Sequence, residues 1–208
     1  MTAVEDRPLR ADAARNAQRI LRAARTVYGE LGPDAPVEAV ARRAGVGERT
    51  LYRRFPTKAD LVRAALDHSI AEDLMPAIDE ARRADDPLRG LTQLIEAAIS
   101  LGARERNLLT AAHRAGTLTY DISVSLNEAL DHLVREGQRV GRVRADLVVD
   151  DVPRLMAMLY SVLATMDAES DGWRRYVALV IDAISIADGQ PLPPAPPLSI
   201  SEPSTWRV

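Results

Sequence analysis

Residues 48–54, with the sequence ERTLYRR, concentrate side chains that can bind a nucleic acid. An arginine guanidinium donates two parallel hydrogen bonds to the acceptor edge of guanine, and it also pairs with phosphate oxygens. At helical spacing the segment places four polar or charged side chains on one outer face. They are Glu48, Arg49, Tyr52 and Arg53. We therefore expect this face to enter the major groove of double-stranded DNA.

Two of these residues each allow two roles. Arg49 is placed to read a guanine base, and a phosphate contact is the alternative. The Glu48 carboxylate can accept a hydrogen bond from the amino group of cytosine, or it can stabilise the positive end of its own helix dipole. We favour the base contact for Arg49 and the helix-dipole role for Glu48.

The composition gives little support for disulfides, metal sites or catalysis. The chain has no cysteine, and its three histidines, His68, His113 and His132, are scattered. Disulfides and thiolate metal sites are therefore excluded. Helical-bundle enzymes of the di-metal type carry paired Glu-x-x-His motifs, and the sequence has no such pair. It accordingly predicts a protein that is not an enzyme and that holds neither a metal nor an organic cofactor.

Charge is distributed unevenly along the chain, whose formal net charge is −3. Residues 1–66 contain thirteen Arg or Lys against eight Asp or Glu, whereas residues 67–208 contain fourteen against twenty-two. Basic side chains gain affinity for a polyanion because they release counterions from its phosphates. We expect the N-terminal part to bind DNA, although charge alone leaves a solvated charged face as the alternative.

Apolar residues recur at helical spacing throughout and predict an all-α fold. A first helix is expected over residues 12–31, followed by two short helices over 37–44 and 48–55. Gly45 supplies a left-handed turn between the short helices, and Val46 is the apolar plug between them, as a helix-turn-helix requires. The core of this unit is expected to contain Leu21, Ala24, Val40, Ala41, Val46, Leu51 and Phe55.

Longer helices follow the helix-turn-helix. Thr57 and Asp60 form a capping-box pattern that opens a helix over residues 58–73, which Pro76 bends or interrupts. Asp86 and Pro87 begin the next helix. The domain prediction is a flexible N-terminus over 1–11, a DNA-binding domain over 12–66, an effector-binding and dimerisation domain over 67–188, and a Pro-rich disordered tail over 189–208.

These features together resemble the TetR family of regulators over about residues 14–66. The resemblance implies an N-terminal helix-turn-helix that binds palindromic operators, a helical body with an effector pocket, and a dimer formed by the last two helices. It also implies that Thr50 and Tyr52 contact the DNA backbone and that Lys58, the only lysine, reaches a phosphate. The matching residues are Val40, Ala41, Ala44, Gly45, Val46, Thr50, Leu51, Tyr52, Phe55, Thr57, Lys58 and Leu61.

The chain departs from the family pattern at two helix starts. Pro36 and Gly47 stand where many members have a Ser or Thr that caps a helix and touches phosphate. Two backbone contacts are therefore missing. The arginines that can compensate for them are Arg42, Arg49, Arg53 and Arg54.

The apolar stripes of the last two helices are too wide for a single intramolecular neighbour and predict a dimeric four-helix bundle. The expected interface residues are Met156, Leu159, Leu163, Val177, Ile181 and Ile184. Apolar stripes interrupted by a few polar groups predict an effector pocket further upstream. Its expected lining is Leu74, Ile95, Ile99, His113, Tyr120 and Leu126, with a surface or core position as the alternative for His113 and Tyr120.

The sequence thus predicts a dimeric DNA-binding regulator, most simply a repressor released by a small molecule. Control by a protein partner, or the absence of any effector, is the alternative. The chain has no apolar run of about 18 residues and no apolar stretch behind its charged N-terminus, so we expect neither a membrane span nor a signal peptide, and a cytoplasmic location.

Overall fold

Helices dominate the computed structural model of the chain, which describes residues 6–117, 120–167, 170–185 and 191–194, without the side chains of 6–13 and 120–123. Within these ranges there are ten α-helices and one π-helical turn, and the one extended pairing is an antiparallel bridge between Val143 and Ser185. The all-α prediction is confirmed. The helices are α1 (Asp6–Leu31), α2 (Val37–Ala44), α3 (Glu48–Arg54), α4 (Lys58–Ser69), the π turn (Ile70–Leu74), α5 (Met75–Arg82), α6 (Pro87–Arg104), α7 (Arg106–Arg114), α8 (Tyr120–Arg139), α9 (Asp151–Leu163) and α10 (Trp173–Ile184).

Helix α1 begins six residues earlier than the predicted start at Asp12. Pro8 lies in its first turn, where a missing amide hydrogen costs nothing because that position has no intrahelical acceptor. At the other end of the chain, residues 191–194 form no helix, and the Leu192 amide donates to the Asp146 carboxylate at 2.8 Å. The rest of the predicted tail over 189–208 lies outside the described residues.

The segment after α4 differs from the single helix predicted over 58–73. Regular α-helix stops at Ser69, and the amide of Met75 donates to the carbonyl of Ile70, five residues back, before α5 continues. Pro76 has no amide hydrogen, and its ring would crowd the carbonyl of Glu72 in a regular α-helix. The wider π turn relieves this steric clash, and the chain continues as a helix after it.

The first of two compact units contains Met1–Asp79 and Ala97–Ser125. In it α1 packs against α2, α4 and α7, and α4 also packs against α7. Its most deeply buried large side chains are Ile20, Tyr28, Leu51, Leu61, Ile78, Ile99 and Leu108. Residues 97–125 therefore fold with the N-terminal helices, and the predicted boundary at residue 66 stays a prediction.

The second unit contains Glu80–Glu96 and Leu126–Val208. Gly90 allows the backbone of α6 to lie close to Ala81 and Leu133. A Cβ atom at this position would lie 2.6 Å from the Ala81 carbonyl oxygen and 3.1 Å from a methyl of Leu133. Helices α9 and α10 pack against each other. No helix in the described part of the chain is both long and apolar enough to cross a membrane.

Candidate nucleic-acid interface

The turn between α2 and α3 has the backbone geometry that the sequence predicts. Gly45 adopts φ 63° and ψ 38°, a left-handed conformation that favours glycine. The Gly45 amide donates to the Arg42 carbonyl at 3.2 Å, and the Val46 amide donates to the Ala41 carbonyl at 3.0 Å. These two bonds close α2 as a Schellman motif and turn the chain into α3.

The inner faces of α2 and α3 supply the core of this region. Val40, Ala41, Leu51 and Phe55 are buried, as is Ala24 of α1. Two further predicted core residues, Leu21 and Val46, are half-buried. Because the apolar side chains of α3 point inward, its polar side chains are directed to solvent.

Four predicted DNA-binding residues form the exposed face of α3. Glu48, Arg49, Tyr52 and Arg53 are all exposed, and Thr50 beside them is half-buried. Glu48 is the first residue of α3, a position compatible with both of its proposed roles. The structure therefore brings these five candidates together on one short helix.

The exposed arginines of α3, and the exposed Arg42 of α2, are not neutralised by the residues that the structure describes. Within the described ranges, no carboxylate forms an ion pair with Arg42, Arg49 or Arg53. The adjacent Arg43, by contrast, pairs with Glu30. Unpaired guanidinium groups can bind phosphate or guanine without first giving up an internal partner.

Lys58 lies at the start of α4, immediately after a complete capping box. The Asp60 amide donates to the Thr57 hydroxyl at 3.1 Å, and the Thr57 amide donates to the Asp60 carboxylate at 3.0 Å, which confirms the predicted cap. The exposed Lys58 ammonium lies 5.7 Å from the centroid of the Tyr28 ring. Burial, with a smaller contribution from the charge of Asp34, raises the pKa of Tyr28 to about 12, so the ring stays neutral beneath the cation.

A partly buried ionic cluster anchors α1 through Arg25. The Arg25 guanidinium donates to Glu105 at 2.8 Å, Glu72 at 3.0 Å and Asp73 at 2.9 Å. Ser69 donates to the same Glu105 oxygen at 2.8 Å. Burial disfavours the guanidinium charge, but the facing carboxylates outweigh it and leave the pKa of Arg25 raised.

Sequence patterning does not indicate this cluster, because its members are up to 80 positions apart. The sequence feature that could have indicated it is the position of Arg25 at the edge of the apolar stripe of α1. Helix α7 adds two polar contacts with the same region. Its Asn107 amide donates to the Tyr28 carbonyl at 3.0 Å, and Arg114 donates to Asp34 at 3.1 Å. The cluster and these contacts set the position of α1.

One of the six predicted effector-pocket residues, Leu74, lines a cavity. An open cleft of about 230 Å³ lies within the first unit, with a mostly apolar lining that includes two polar residues, Asp67 and Ser125. Its lining is Asp67, Ile70, Ala71, Leu74, Met75, Ile78 and Ser125. Three of these side chains belong to the π turn, which sequence patterning did not indicate.

The other predicted pocket residues do not line this cleft. Ile99 is fully buried and His113 is exposed in the first unit, whereas Ile95 is buried and Leu126 half-buried in the second. The side chain of Tyr120 lies outside the described residues. Their role in effector binding stays a prediction.

The predicted dimer residues lie on the inner faces of α9 and α10. Ile181 is half-buried, and the other five are buried within the single chain: Met156, Leu159, Leu163, Val177 and Ile184. The same two helices also carry exposed large apolar side chains, namely Met158, Tyr160, Tyr176 and Leu179. The stripe chosen from sequence is thus the one that packs within the chain.

Two family models match the chain. Residues 20–65 match the description "Bacterial regulatory proteins, tetR family". Residues 86–185 match the C-terminal domain of SbtR-like transcriptional regulators. A search among curated proteins gives no significant match.

Solved structures of regulators share the fold. A TetR transcriptional regulator from Streptomyces coelicolor is 26% identical, with a TM-score of 0.63 over 81% of this chain and 98% of its own. A TetR regulatory protein from Mycobacterium vanbaalenii is 29% identical, with a TM-score of 0.61 over 86% of this chain and all of its own. The TetR-like regulator LfrR from Mycobacterium smegmatis, solved in complex with proflavine, is 21% identical, with a TM-score of 0.57 over 82% of this chain and 94% of its own.

Proposed function

The chain belongs to the TetR family of bacterial regulatory proteins, and we propose that it is a repressor that binds a palindromic operator as a dimer and is released by a small molecule. The observation that carries the DNA-binding role is the exposed face of α3, whose Arg49 and Arg53 form no ion pair with any residue that the structure describes. Such a face matches the width and the acceptor groups of the major groove.

Each residue of the interface has a distinct proposed role. Arg49 reads a guanine, and Glu48 stabilises the N-terminus of α3. Thr50, Tyr52 and Lys58 contact the sugar-phosphate backbone. Arg42 and Arg53 add phosphate contacts, which replace those lost through Pro36 and Gly47. Phosphate contacts supply affinity and position the protein, whereas the Arg49 contact supplies sequence preference.

The experiment that tests this function is selection of bound duplexes from random DNA with the full-length protein. Two inverted half-sites with a fixed spacing are expected, because a two-fold dimer presents two copies of α3. Recovery of no enriched sequence, with affinity equal for every duplex, would contradict a sequence-specific regulator.

Dimerisation is proposed to use the outer faces of α9 and α10. Met158 and Leu179 are 60% and 52% exposed, and Tyr160 and Tyr176 are also exposed. Large apolar side chains exposed on the same two helices are expected to be covered by another protein surface. A second copy of the same chain covers it with an isologous contact between the two helix pairs.

Effector control is proposed to act through the cleft of the first unit. Three of its lining residues belong to the π turn, and the neighbouring Glu72 and Asp73 of that turn hold Arg25 of α1. A ligand that favours another arrangement of the turn would change these contacts and thereby the position of α1. The complex of LfrR with proflavine supports small-molecule control, since that relative shares the fold.

Filling the cleft tests this site. Ala71 is exposed on the π turn and lines the cleft, so Ala71→Trp should block the ligand response while leaving operator binding intact. Ala145→Trp, at an exposed position of the α8–α9 connector, is the matched control. A thermal-shift screen that begins with proflavine, followed by DNA-release assays, supplies the ligand.

Two outcomes decide against this control mechanism. If no compound both raises the melting temperature and releases DNA, the alternative of a regulator with a protein partner or without an effector is favoured. If a compound does so equally well in Ala71→Trp and in the wild-type protein, the effector binds elsewhere.

A further inference from the structure

The outward side of α10 carries two charged residues of opposite sign, Arg175 and Asp182. Both are exposed, and they stand at positions i and i+7, which places them on one side of the helix. At roughly 1.5 Å per residue they lie about 10 Å apart along the helix axis. Within the part of the chain that the structure describes, neither side chain forms an ion pair or a hydrogen bond.

The neighbouring Arg174 has a different environment. Its guanidinium lies 3.3 Å from the Glu96 carboxylate and 4.6 Å from the centroid of the Trp173 ring. Arg174 is therefore paired within the chain, whereas the charge of Arg175 remains available to a group from outside it.

The exposed positions of α9 add no charge to this surface. They are Ala157, Met158, Tyr160 and Ser161. The two charged residues of α9, Asp151 and Arg154, are half-buried. The outward surface of the helix pair thus combines exposed apolar side chains with the unpaired Arg175 and Asp182 of α10.

We propose that Arg175 and Asp182 form two reciprocal ion pairs with Asp182 and Arg175 of a second copy of the chain. This inference rests on the proposed dimer and specifies the orientation and register of α10 in it. In a two-fold contact, if residue i meets residue j of the second copy, then j also meets i. The midpoint between positions 175 and 182 lies between Ala178 and Leu179. An antiparallel crossing of two α10 helices at this point aligns each arginine with an aspartate.

Charge favours this arrangement over a parallel one. A parallel pair of α10 helices would place Arg175 against Arg175 and Asp182 against Asp182, and like charges at an interface are unfavourable. The antiparallel pair forms two contacts of opposite charge and places Leu179, which is 52% exposed in the single chain, at the centre of the crossing. Charge complementarity of this kind fixes the register and excludes wrong partners. Arg175 and Asp182 therefore determine which surfaces pair, and the apolar side chains supply most of the affinity.

Charge reversal in two separate variants tests the pairing. Arg175→Glu and Asp182→Lys each replace both ion pairs of the homodimer with contacts of like charge, whereas an equimolar mixture can form a heterodimer in which both contacts join opposite charges. Arg83→Glu and Asp85→Lys, at exposed positions between α5 and α6, are the matched controls. Sedimentation velocity over a range of concentrations gives the dimer dissociation constants. Native mass spectrometry with one size-tagged variant measures the heterodimer.

Each single variant should raise the dissociation constant of its homodimer by roughly tenfold or more, because like charges meet twice. The mixture should associate nearly as tightly as the wild-type protein, with heterodimer in excess of random pairing. Arg175→Glu/Asp182→Lys in one chain should restore the homodimer. The two controls should dimerise as the wild-type protein does, both alone and mixed.

Wild-type dissociation constants for both single variants would overturn the inference. Weakened homodimers that mixing does not restore, or an equal loss in the controls, would also overturn it. These results leave the proposed dimer standing, because its apolar contacts do not include Arg175 or Asp182. A monomeric wild-type protein would instead contradict the proposed dimer and the pairing together. Circular dichroism spectra equal to that of the wild-type protein show that a weakened dimer retains its helices.

Discussion

Arg25 and Lys58 show how surroundings decide what a basic side chain does. Arg25 is half-buried and donates to three carboxylates, so its charge serves the internal structure. Lys58 is exposed, and its ammonium lies over the neutral Tyr28 ring with no carboxylate ion pair among the described residues. A cation–π contact orients an ammonium without neutralising it. Lys58 therefore remains available to a phosphate.

The first prediction concerns Lys58 and Arg49 separately. Lys58→Ala should weaken binding about equally for all DNA sequences and reduce the salt slope by about one unit per half-site. Arg49→Ala should instead relax the preference at one base pair, because a guanine contact is lost. Fluorescence anisotropy with the selected operator and single-base variants measures both effects.

Lys58→Arg is the control for this prediction, since it preserves the charge at the start of α4. An affinity and salt slope of Lys58→Ala equal to those of the wild-type protein would show that the proposed docking is wrong. A uniform loss for Arg49→Ala across all sequences would assign Arg49 to phosphate.

Among the elements, α4 is better anchored at its start than the two helices before it. Thr57 and Asp60 exchange side-chain hydrogen bonds with each other's amides, whereas Pro36 and Gly47 make no side-chain cap at α2 and α3. The exposed amides of a helix N-terminus need acceptors, and a capping box supplies them. Helix α4 thus provides a firm start next to the proposed phosphate contact at Lys58.

The second prediction follows from this capping box. Thr57→Ala should lower the free energy of unfolding by about 1 kcal/mol, because the Asp60 amide loses its acceptor. For a chain of this size the melting temperature should fall by roughly 2–4 °C. Thermal unfolding followed by circular dichroism measures the change.

Thr57→Ser retains the hydroxyl and should melt close to the wild-type protein. If Thr57→Ala melted at the wild-type temperature while Thr57→Ser also did, the cap would contribute nothing to stability.

At the scale of the whole molecule, α9 and α10 carry apolar side chains on two faces that differ in burial. The face with Leu159 and Val177 is buried within the chain, and the face with Met158 and Leu179 is exposed. A charge on the first face would be buried without a partner and should unfold the protein. A charge on the second face affects the fold only through the proposed dimer.

The third prediction is that Met158→Glu/Leu179→Glu yields a folded monomer, because it places charge at the centre of an apolar interface. Sedimentation velocity gives the mass, and circular dichroism shows the retained helices. Operator affinity should fall strongly, since a monomer binds one half-site only.

Val140→Glu, at an exposed apolar position just after α8, is the control and should remain dimeric. A double variant that sediments as a dimer would place the interface on another surface. A wild-type protein that sediments as a monomer would remove the dimer from the proposed function.

Sequence alone determined the features that arise from neighbouring residues. The turn at Gly45, the cap at Thr57 and the exposed face of α3 depend on backbone geometry and spacing within a few residues, and all three were predicted. The family resemblance rests on the same local pattern, which the match over residues 20–65 confirms. Short-range chemistry has few alternatives, so the residue types specify it.

Tertiary structure decided what depends on distant partners. Arg25 meets Glu72 and Glu105, which are 47 and 80 positions away, and no local pattern connects them. The π turn places Ala71 and Leu74 at a cleft that a regular helix would have arranged differently. On α9, apolar residues lie on both faces, so periodicity could not tell the inward Leu159 from the outward Met158. Burial depends on which surfaces meet, and that is settled only when the whole chain packs.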